Sequence, residues 1–351
     1  MPDDNITQIR KLEHIQIITK RNTQYREKTT MLELVGIKPN GGAISKRDVD
    51  IESELLGLPV SAPLFISGMT GGHPATLGIN RNIAIAAARL NIPMGVGSQR
   101  AMMENKELAY TYDVKKFAKE LILIGNIGAT KLLVYNDGQI QRMVDSIGVD
   151  MLAVHTNPGQ ESVQPEGDID FRGVMGRIIE VARGIRQPVI VKEVGNGISR
   201  EVAARLNGKV YCIDTQGAGG TTWIGVETYR NKSKYGGAFW EWGIPTALSV
   251  LEARSSFNGP VWASGGIRTP SDVVRSLAIG AERCGMAKPI ISSERSGGSD
   301  GVYSFISRMI DGIKEEMAGL GFQSLKELRQ AKVTFKEPLR HILKDRGIKA
   351  K

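Results

Sequence analysis

The stretch VWASGGIRTPSDVVRSLAIGAERCGMAK, residues 261–288, contains two short apolar runs separated by a segment with helical periodicity. The runs Val261–Ser264 and Glu282–Met286 predict buried strands, and Ser271–Ile279 predicts a helix with Ser271 as its N-cap. A strand, a helix and a second strand in this order form a parallel pair with a right-handed crossover. Glycines and basic residues follow both strands, so the stretch predicts a β-α-β unit with a binding loop after each strand.

The same alternation repeats along the chain and predicts eight strands. They are expected at Pro63–Ser67, Ile92–Gly97, Leu121–Gly125, Met151–His155, Val189–Lys192, Val210–Asp214, Val261–Ser264 and Glu282–Met286. The clearest helices between them are expected at Ile79–Leu90, Asp113–Glu120, Gln139–Ser146, Phe171–Ile185, Ser199–Leu206, Ile244–Ser255 and Ser271–Ile279, with Ser199 as a second N-cap. Six strands would fit an open doubly wound sheet, whereas eight fit a closed barrel better. The sequence therefore predicts an α/β fold of the TIM (β/α)8 type, with an N-terminal extension and extra C-terminal helices.

Two regions fall outside the minimal barrel. We expect a single domain over residues 1–351, with an N-terminal extension at 1–60, a barrel core at 61–300 and C-terminal helices at 301–351. The extension is predicted to contain a helix over Ile6–Thr19. Residues 217–243 form a long insertion rich in glycine and tryptophan, and a loop of that length is usually a lid or a binding loop.

Composition narrows the classes of function. The chain is 41% hydrophobic and 24% charged, which is typical of a globular protein with a substantial core. Its aromatic content is 6%, so single-stranded nucleic acid, which stacks on aromatic side chains, is not an expected partner. The net charge of +9 fits either a solvated basic tail at 332–351 or the attraction of a small anionic substrate.

Cysteine usage and hydropathy bear on location. Cys212 and Cys284 lie in short apolar runs, which predicts small buried side chains and not a disulfide. The start of the chain is polar, and none of its apolar runs approaches the ~20 residues needed to cross a bilayer. The sequence therefore predicts a cytoplasmic protein without a membrane partner.

The loops after the seventh and eighth strands predict a phosphate site. In barrels of this type, phosphate commonly binds between these two loops through backbone N–H groups and a helix start. The loop Ser264–Arg268 supplies backbone without side chains at its two glycines and a guanidinium group, and the segment Gly280–Ala287 supplies the neighbouring eighth strand and its end. Tight turns would explain the glycines of either loop alone, but the two loops in this order favour phosphate. The glycine-rich loop Gly217–Trp223 fits a mobile loop equally well.

The stretch His155–Glu161 concentrates polar chemistry at the mouth of the fourth strand. It places an acid/base group, amide donors and a carboxylate together, and a carboxylate beside a substrate diphosphate is a natural Mg²⁺ site. A polar loop with a capping Asn and a Pro-Gly turn is the simpler alternative. Lys192 ends the fifth strand, where it could neutralise a phosphate or be a buried, paired lysine. Arg10 and His14 share a helix face, which from the residues alone predicts a solvated basic face.

Together these stretches resemble the type 2, FMN-dependent isopentenyl-diphosphate isomerases over nearly the whole chain. The motifs that carry the resemblance are RKLEH at 10–14, MTGG at 69–72, GSQR at 97–100, GN at 125–126, HTNPGQE at 155–161, QPEGD at 164–168, VKEVG at 191–195, GAGGT at 217–221, WGIPT at 242–246, SGGIR at 264–268 and GMA at 285–287. The motif from His155 to Glu161, with the QPEGD that follows, is the most specific. The glycine-rich loops are shared with other FMN barrels.

The resemblance implies interconversion of isopentenyl and dimethylallyl diphosphate by proton addition and removal, with Mg²⁺ and with FMN that NAD(P)H keeps reduced. The implied FMN contacts are Met69, Thr70, Gly71, Ser98, Asn126, Lys192, Thr221, Gly265, Gly266, Arg268, Met286 and Ala287. The implied substrate contacts are Arg10, Lys11, His14, Ser98, Gln99, Arg100, His155, Asn157 and Gln160. Glu161 is the implied metal ligand, and Gln160, Lys192 and His155 are the implied catalytic residues. A homo-oligomer, a tetramer or an octamer, is also implied.

Two alternative functions stay open at this point. An FMN-dependent 2-hydroxy-acid oxidase or dehydrogenase shares the barrel, but that family carries its base in a His-Gly-Gly-Arg type motif, and Gly217–Thr221 contains no histidine. A non-catalytic flavin- or polyanion-binding protein would not need Gln160 and Glu161 beside His155. Three residues depart from the isomerase pattern, with consequences for pocket packing and flavin affinity: Thr156, Gly159 and Gln216.

Overall fold

The structure is a computed structural model that describes residues 3–233 and 235–348; the side chains of residues 3–8 are not described. Met1, Pro2, Lys234, Lys349, Ala350 and Lys351 lie outside the described residues, and with them parts of the predicted extension, insertion and C-terminal segment. The strands are β1 Val35–Ile37, β2 Ser53–Leu55, β3 Leu58–Val60, β4 Leu64–Ile66, β5 Met94–Gly95, β6 Leu123–Gly128, β7 Met151–His155, β8 Val189–Lys192, β9 Cys212–Asp214, β10 Val261–Ser264, β11 Arg283–Met286 and β12 Val333–Phe335.

The α-helices are α1 Asp3–Lys20, α2 Leu77–Arg89, α3 Arg100–Glu104, α4 Asp137–Ser146, α5 Pro158–Val163, α6 Val174–Gly184, α7 Arg200–Leu206, α8 Trp223–Asn231, α9 Gly236–Phe239, α10 Thr246–Arg254, α11 Pro270–Ala278, α12 Lys288–Leu320, α13 Leu325–Arg329 and α14 Leu339–Asp345. Short 3-10 helices lie at Leu32–Leu34, Lys46–Asp48, Pro74–Thr76, Lys106–Thr111, Val114–Lys116 and Ala129–Leu133. Among the described residues, no helix combines the length and the apolar character that a membrane span requires.

Strands β4 to β11 form a closed parallel barrel in chain order, because β11 returns to pair with β4. Each barrel strand overlaps one of the eight predicted runs, and β7, β8 and β10 have the predicted bounds. The helices expected after most strands are present as well, from α2 through α11. The predicted TIM-barrel fold with extra C-terminal helices is therefore confirmed.

The side chains of the barrel strands divide into an outer and an inner set. The outer set packs against the surrounding helices in the main hydrophobic core. The inner set is a smaller apolar cluster whose members on the barrel strands include Phe65, Ile124, Ala153, Ile190, Cys212 and Trp262. Both cysteines are buried and unpaired, as the sequence predicted. The barrel interior is therefore filled by side chains, as this fold requires.

A polar layer lies above this apolar cluster at the carboxyl ends of the strands. Side chains alternate along a strand with a period of two, so the residue two positions after an inward apolar residue also points inward. The residues in those positions are Ser67, Asn126, His155, Lys192, Asp214 and Ser264. The layer forms the floor of the cavity described below, and barrel geometry alone brings its members together.

A hairpin closes the opposite end of the barrel. Strands β2 and β3 pair antiparallel, and their residues Leu55 and Val60 join the inner apolar cluster. Arg283, which is 1% exposed, donates to the Ser53 hydroxyl at 3.1 Å and to the Glu54 carbonyl. The N-terminal extension therefore closes the bottom of the barrel, and the polar layer with its cavity lies at the other end.

Helix α11 begins differently from the prediction. Its N-cap is Thr269, with Pro270 in the first turn, and the prediction of Ser271 as the cap was wrong. Thr269 and Asp272 form a capping box in which each side chain accepts a hydrogen bond from the other residue's backbone N–H. Ser271 instead donates to Glu316 at 2.6 Å. The second predicted cap, Ser199, is confirmed at the start of α7.

Three other elements differ from the prediction. The predicted helix over Asp113–Glu120 was wrong, because only a 3-10 turn at Val114–Lys116 forms there. The insertion at 217–243 contains helices α8 and α9, where a loop was expected. The C-terminal segment contains the strand β12, which pairs antiparallel with β1 of the extension, and α12 runs across the expected boundary at residue 300.

The capping box of α11 gives a stability prediction. Thr269→Ala removes the acceptor for the Asp272 N–H, so we expect a loss of about 1 kcal/mol in the free energy of unfolding. Thr269→Ser, the matched control at the same position, keeps the hydroxyl acceptor and should cost less than about 0.5 kcal/mol. Urea unfolding of the two variants measures the difference, and an equal loss in Thr269→Ser would contradict the assignment of the cap.

Candidate active site

A deep cavity of about 1340 Å³, its open mouth included, lies over the polar layer of the barrel. Its floor is formed by residues that follow the barrel strands, and its walls by α1, α5 and the start of α8. Apolar side chains of Ile15, Ile18, Val194, Trp223 and Ile291 share the lining with charged and amide groups. A largely apolar pocket with a few convergent polar groups is the usual form of a small-molecule site.

The floor is an ordered hydrogen-bond network. Nδ1 of His155 lies 2.8 Å from Oδ1 of Asn126, whose Nδ2 donates to the Val96 carbonyl at 3.1 Å. The Asn126 oxygen therefore faces the ring, which fixes the proton of the neutral imidazole on Nδ1. Burial, together with the charge of Lys192, holds the pKa of His155 well below its usual range. At neutral pH the Nε2 atom of His155 is thus an unprotonated acceptor.

Lys192 and Asp214 face each other on adjacent strands of this floor. They are register partners on β8 and β9, and their exposed fractions are 6% and 2%. Nζ of Lys192 donates to the Glu193 carbonyl at 2.7 Å. Asp214 accepts hydrogen bonds from the Ser264 hydroxyl and from Nε2 of Gln216, the latter at 2.9 Å. The floor therefore contains a cation, Lys192, and its nearest inward-facing neighbour on β9 is the carboxylate of Asp214.

Helix α5 carries the most specific motif of the sequence. It begins with Pro158 in its first turn, directly after β7, so that Gln160 and Glu161 both line the cavity. Glu161 accepts from Nδ2 of Asn157 at 2.7 Å and from the backbone N–H of Asp168 at 2.8 Å. Burial raises the pKa of Glu161, and these two hydrogen bonds oppose the rise. Each of its oxygens thus accepts one hydrogen bond from the protein, and the residue lines the cavity.

Helix α1 brings three basic residues to the cavity. Arg10, Lys11 and His14 all line it, together with Arg100 at the start of α3. Burial, reinforced by the guanidinium groups of Arg10 and Arg100, lowers the pKa of Lys11 to about 7. Arg10, His14 and Arg100 form ion pairs with Glu166, Glu227 and Glu104, whereas Lys11 has no ion-pair partner among the described residues. Such a cluster is suited to an anion with several negative oxygens.

Glu227 on α8 holds α1 and α5 together. Its carboxylate is fully buried and lies 2.8 Å from Nε2 of His14. It also accepts from Nε2 of Gln160 at 3.1 Å and from Nε of Arg230 at 2.6 Å. Although burial alone would raise the pKa of Glu227, these hydrogen bonds and the Arg230 charge hold it below its usual range. The position of the Gln160 amide is therefore fixed by an ionised carboxylate.

A second cavity of about 480 Å³ adjoins the first at the loops after β10 and β11. It is lined by Gly265, Gly266, Arg268, Met286, Ala287 and Lys288, and it shares Ser67, Val194, Gln216, Thr221 and Trp223 with the first cavity. Gly265 has a φ of +95°, and a Cβ there would lie 2.1 Å from the Gly217 carbonyl oxygen. The close approach of these two loops therefore requires glycine, and it leaves backbone exposed toward the cavity.

Most of the residues that the sequence singled out line these two cavities. They are Arg10, Lys11, His14, Met69, Thr70, Ser98, Arg100, Asn126, His155, Asn157, Gln160, Glu161, Lys192, Thr221, Gly265, Gly266, Arg268, Met286 and Ala287. Two expected contacts lie elsewhere. Gln99 is fully buried, and its side chain accepts from the backbone N–H of Asn126 at 2.9 Å. Gly71 packs beneath Tyr112, where a Cβ would lie 2.1 Å from the ring.

Sequence reasoning missed the acidic and aromatic residues that organise the cavity walls. Glu227, Arg230 and Trp223 belong to the segment expected to be a loop, so their helical spacing was not considered. An apolar-to-charged alternation over residues 223–231, with Glu227 and Arg230 three apart, was the available signal. Lys131 and Asp168 also face the cavity and form an ion pair at 2.6 Å. These residues orient the groups that the sequence did identify.

Comparisons with known proteins agree with this geometry. A family model for FMN-dependent dehydrogenases matches residues 236–335. An isopentenyl-diphosphate delta-isomerase of Pyrococcus furiosus is 38% identical over 99% of this chain and 91% of its own length. Another, of Methanothermobacter thermautotrophicus, is 39% identical over 97% of each chain.

Solved structures show the same fold at low identity. A flavocytochrome b2 variant with sulfite bound has a TM-score of 0.66 at 18% identity, and the match covers 97% of this chain and 88% of that one. A mandelate oxidase variant with a monooxide FMN adduct has a TM-score of 0.60 at 16% identity, over 88% and 90% of the two chains. At these identities the likeness establishes the barrel alone.

The lowered pKa of Lys11 gives a prediction for the ligand-free protein. Between pH 7 and about 10.5 the unfolded chain binds a proton at Lys11 that the folded chain does not, so the free energy of unfolding rises with pH in this window. The destabilisation by Lys11 is therefore complete below pH 7 and is relieved as the pH rises. Lys11→Met should melt above the parent protein at pH 7, and the difference should shrink toward pH 10.

The control for this measurement is Lys20→Met, which removes an exposed lysine from the last turn of the same helix. Its melting temperature should follow the parent at every pH. Inorganic pyrophosphate should raise the melting temperature of the parent and of Lys20→Met but not of Lys11→Met. A constant offset between Lys11→Met and the parent across the pH range would contradict the inferred proton linkage.

Proposed function

The chain belongs to the isopentenyl-diphosphate delta-isomerase family, and we propose that it interconverts isopentenyl and dimethylallyl diphosphate with reduced FMN and Mg²⁺. The observation that carries the proposal is the meeting, in one cavity, of the basic cluster on α1 with the Gln160–Glu161 pair on α5. The basic cluster suits a diphosphate, and the pair supplies an amide and a carboxylate beside an apolar wall. An oxidase of hydroxy acids would not require this combination.

The residues present fit an FMN. The two glycines and Arg268 of the loop after β10, with Lys288 at the start of α12, suit the phosphate of FMN through backbone N–H groups and cations. Thr70 is 2% exposed, and its hydroxyl has no hydrogen-bond partner among the described residues, so a polar ligand edge there would satisfy it. Lys192 would face a ring carbonyl of the flavin. FMN, when bound and reduced, supplies the proton donor and acceptor of the reaction.

The diphosphate end of the substrate would be held from α1 and α3. Arg10, Lys11, His14 and Arg100 would donate to its oxygens, and its negative charge would lie beside Lys11, which has no ion-pair partner among the described residues. The diphosphate would raise the pKa of Lys11 again, so that binding and protonation of this side chain would be coupled. Gln99 would act indirectly, because its carboxamide fixes the backbone of Asn126 and does not reach the cavity.

Glu161 would hold Mg²⁺ together with diphosphate oxygens and water. Mg²⁺ is usually bound by one or two carboxylates plus substrate phosphates, and not by a complete protein cage. Among the described residues no group of three or more His, Cys, Asp or Glu side chains is arranged to hold a metal, so the other ligands would have to come from the substrate and water. The hydrogen bonds from Asn157 and from the Asp168 backbone fix the carboxylate where it lines the cavity.

Gln160 would orient the alkene of the substrate, and His155 would bind a proton at its diphosphate end. Glu227 holds Nε2 of Gln160, and Nδ2 of Asn157 lies 3.2 Å from Oε1 of the same amide, so its orientation is set before substrate binds. The amide would lie beside the double bond and orient it. Nε2 of His155 would accept or hold a proton from a phosphate oxygen. The ring centroids of Trp223 and His14 lie 5.0 Å apart in an edge-on contact. Trp223 would exclude water from the hydrocarbon end of the substrate.

The proposal has five further parts, of which the reductant, the oligomeric state and the diphosphate partner rest on the family resemblance, and the location and the single domain rest on the sequence itself. NADH or NADPH would keep the FMN reduced, and the reaction itself would consume neither. The protein would act in the cytoplasm, as a single domain, and as a tetramer or octamer. Its partner would be a small diphosphate, without nucleic acid or membrane.

An anaerobic assay with FMN, Mg²⁺ and a reductant tests the proposed function. The expected result is conversion of isopentenyl diphosphate into its dimethylallyl isomer, which requires reduced FMN but consumes no stoichiometric reductant. Conversion should stop when FMN is left oxidised. If FMN binds and no isomer forms, while a 2-hydroxy acid is oxidised, the chain is an oxidoreductase and the proposal is wrong.

The role of Glu161 has its own test. Glu161→Gln keeps the size of the side chain but removes the charge and one of its two acceptors, so we expect turnover to fall by at least a hundredfold and the Mg²⁺ requirement to rise. FMN affinity, measured by fluorescence titration, should change less than threefold. The control is Asp170→Asn, an exposed carboxylate that pairs with Arg172, and it should behave as the parent protein. Parent-like turnover of Glu161→Gln at low Mg²⁺ would show that Glu161 is not the ligand.

A further inference from the structure

The floor of the cavity contains an acid that the proposed chemistry does not use. Asp214 is 2% exposed, and it points into the barrel beside Lys192, its register partner on the neighbouring strand. Both side chains also line a small recess that shares Ser67, Asn126 and Lys192 with the main cavity. A buried carboxylate at the centre of a ligand site is costly unless its charge serves a neighbour.

The position of Asp214 is fixed from two sides. One oxygen accepts from the Ser264 hydroxyl, and the other accepts from Nε2 of Gln216 at 2.9 Å. Gln216 adopts a φ of +40°, which is uncommon for a residue other than glycine. That conformation brings its amide back over the end of β9. Backbone strain of this kind persists only where the surrounding structure holds it in place. Here the strained Gln216 holds the Asp214 carboxylate through the hydrogen bond from its amide.

The charged and titratable groups that face Lys192 come from three strands. His155, its register partner on β7, is neutral at neutral pH. Glu193, at the end of the same strand, directs its carboxylate to the backbone N–H groups of Val194 and Asn196 at 2.6 and 3.0 Å. Asp214 is the register partner on β9. Burial lowers the pKa of Lys192, and the carboxylates of Asp214 and Glu193 oppose this change, Asp214 more strongly.

We propose that Asp214 is the positioning residue of the flavin site: as the buried register partner of Lys192 it keeps that side chain protonated, so that a permanent cation lies at the floor of the flavin site. This inference rests on the proposed function only in taking FMN as the ligand above Lys192. Reduction of a flavin adds negative charge to its ring, and a cation that is present in both redox states favours the reduced form without a proton of its own. Without the acid, the same lysine loses its proton and regains it only when the flavin is reduced.

The test uses FMN-loaded protein and needs no substrate. The midpoint potential of bound FMN is measured from pH 6.5 to 9 in the parent protein and in Asp214→Asn, which keeps the shape of the side chain. We expect the slope for Asp214→Asn to show one additional proton taken up per two-electron reduction. Arginine stays charged in proteins, so adding Lys192→Arg to Asp214→Asn should remove the additional proton. The control is Glu252→Gln, a buried carboxylate on the outer helix α10, and it should keep the parent slope.

A second measurement covers the case in which Asp214→Asn binds FMN poorly. Acetic anhydride reacts only with neutral amines, so the rate of Lys192 acetylation in flavin-free protein, followed by mass spectrometry, reports its protonation. At pH 8 we expect this rate to rise at least tenfold in Asp214→Asn. An unchanged slope together with an unchanged acetylation rate would overturn the inference and leave the proposed function intact. A parent protein that binds no FMN would instead overturn the proposed function.

Discussion

Closure of eight parallel strands into a barrel is the constraint on which the site depends. Closure makes every second side chain of every strand point into one narrow interior, which the middle of the strands fills with Phe65, Ile190, Trp262 and their neighbours. The next inward position on each strand lies at the mouth of the barrel. There the interior widens, so polar side chains can replace apolar ones without being sealed from a ligand. The polar floor of the cavity is therefore formed by the residues that lie two positions beyond the inward apolar residues of the same strands.

The N-terminal extension and the insertion at 217–243 provide the walls of the cavity above the barrel. The barrel supplies a polar floor, but its strands cannot reach over a bound ligand. Helix α1 and helix α8 do so, and the buried Glu227 joins them to α5 through His14 and Gln160. An ionised carboxylate at this junction fixes donors from two helices at once. The same interaction thus holds α1 and α5 over the cavity and orients the Gln160 amide that lines it.

The fold was largely predictable because it depends on local periodicity. The eight strands were found from short apolar runs, and residues such as His155 and Lys192 were found because polar side chains follow strand ends. The cap of α11 and the helices of residues 217–243 were missed although local signals were present: Asp272 follows Thr269 by three residues, and Glu227 and Arg230 are three apart. Gln99 was misplaced because its contact is tertiary and leaves no local pattern. Its motif marks the right loop, but only the structure shows that the side chain turns inward to the backbone of Asn126.

The cations at the two ends of the site have different neighbours, and this difference has a chemical consequence. At the α1 end, Arg10 pairs with Glu166 and Arg100 with Glu104, whereas Lys11 has no ion-pair partner among the described residues. Lys11 is buried beside these two guanidinium groups, and its pKa is lowered to about 7. At the floor, the buried Lys192 has the carboxylate of Asp214 as its register partner on β9. Under the proposed function, the diphosphate would bring to Lys11 the negative charge that the protein does not supply there, whereas the floor keeps an acid beside its cation with or without a ligand.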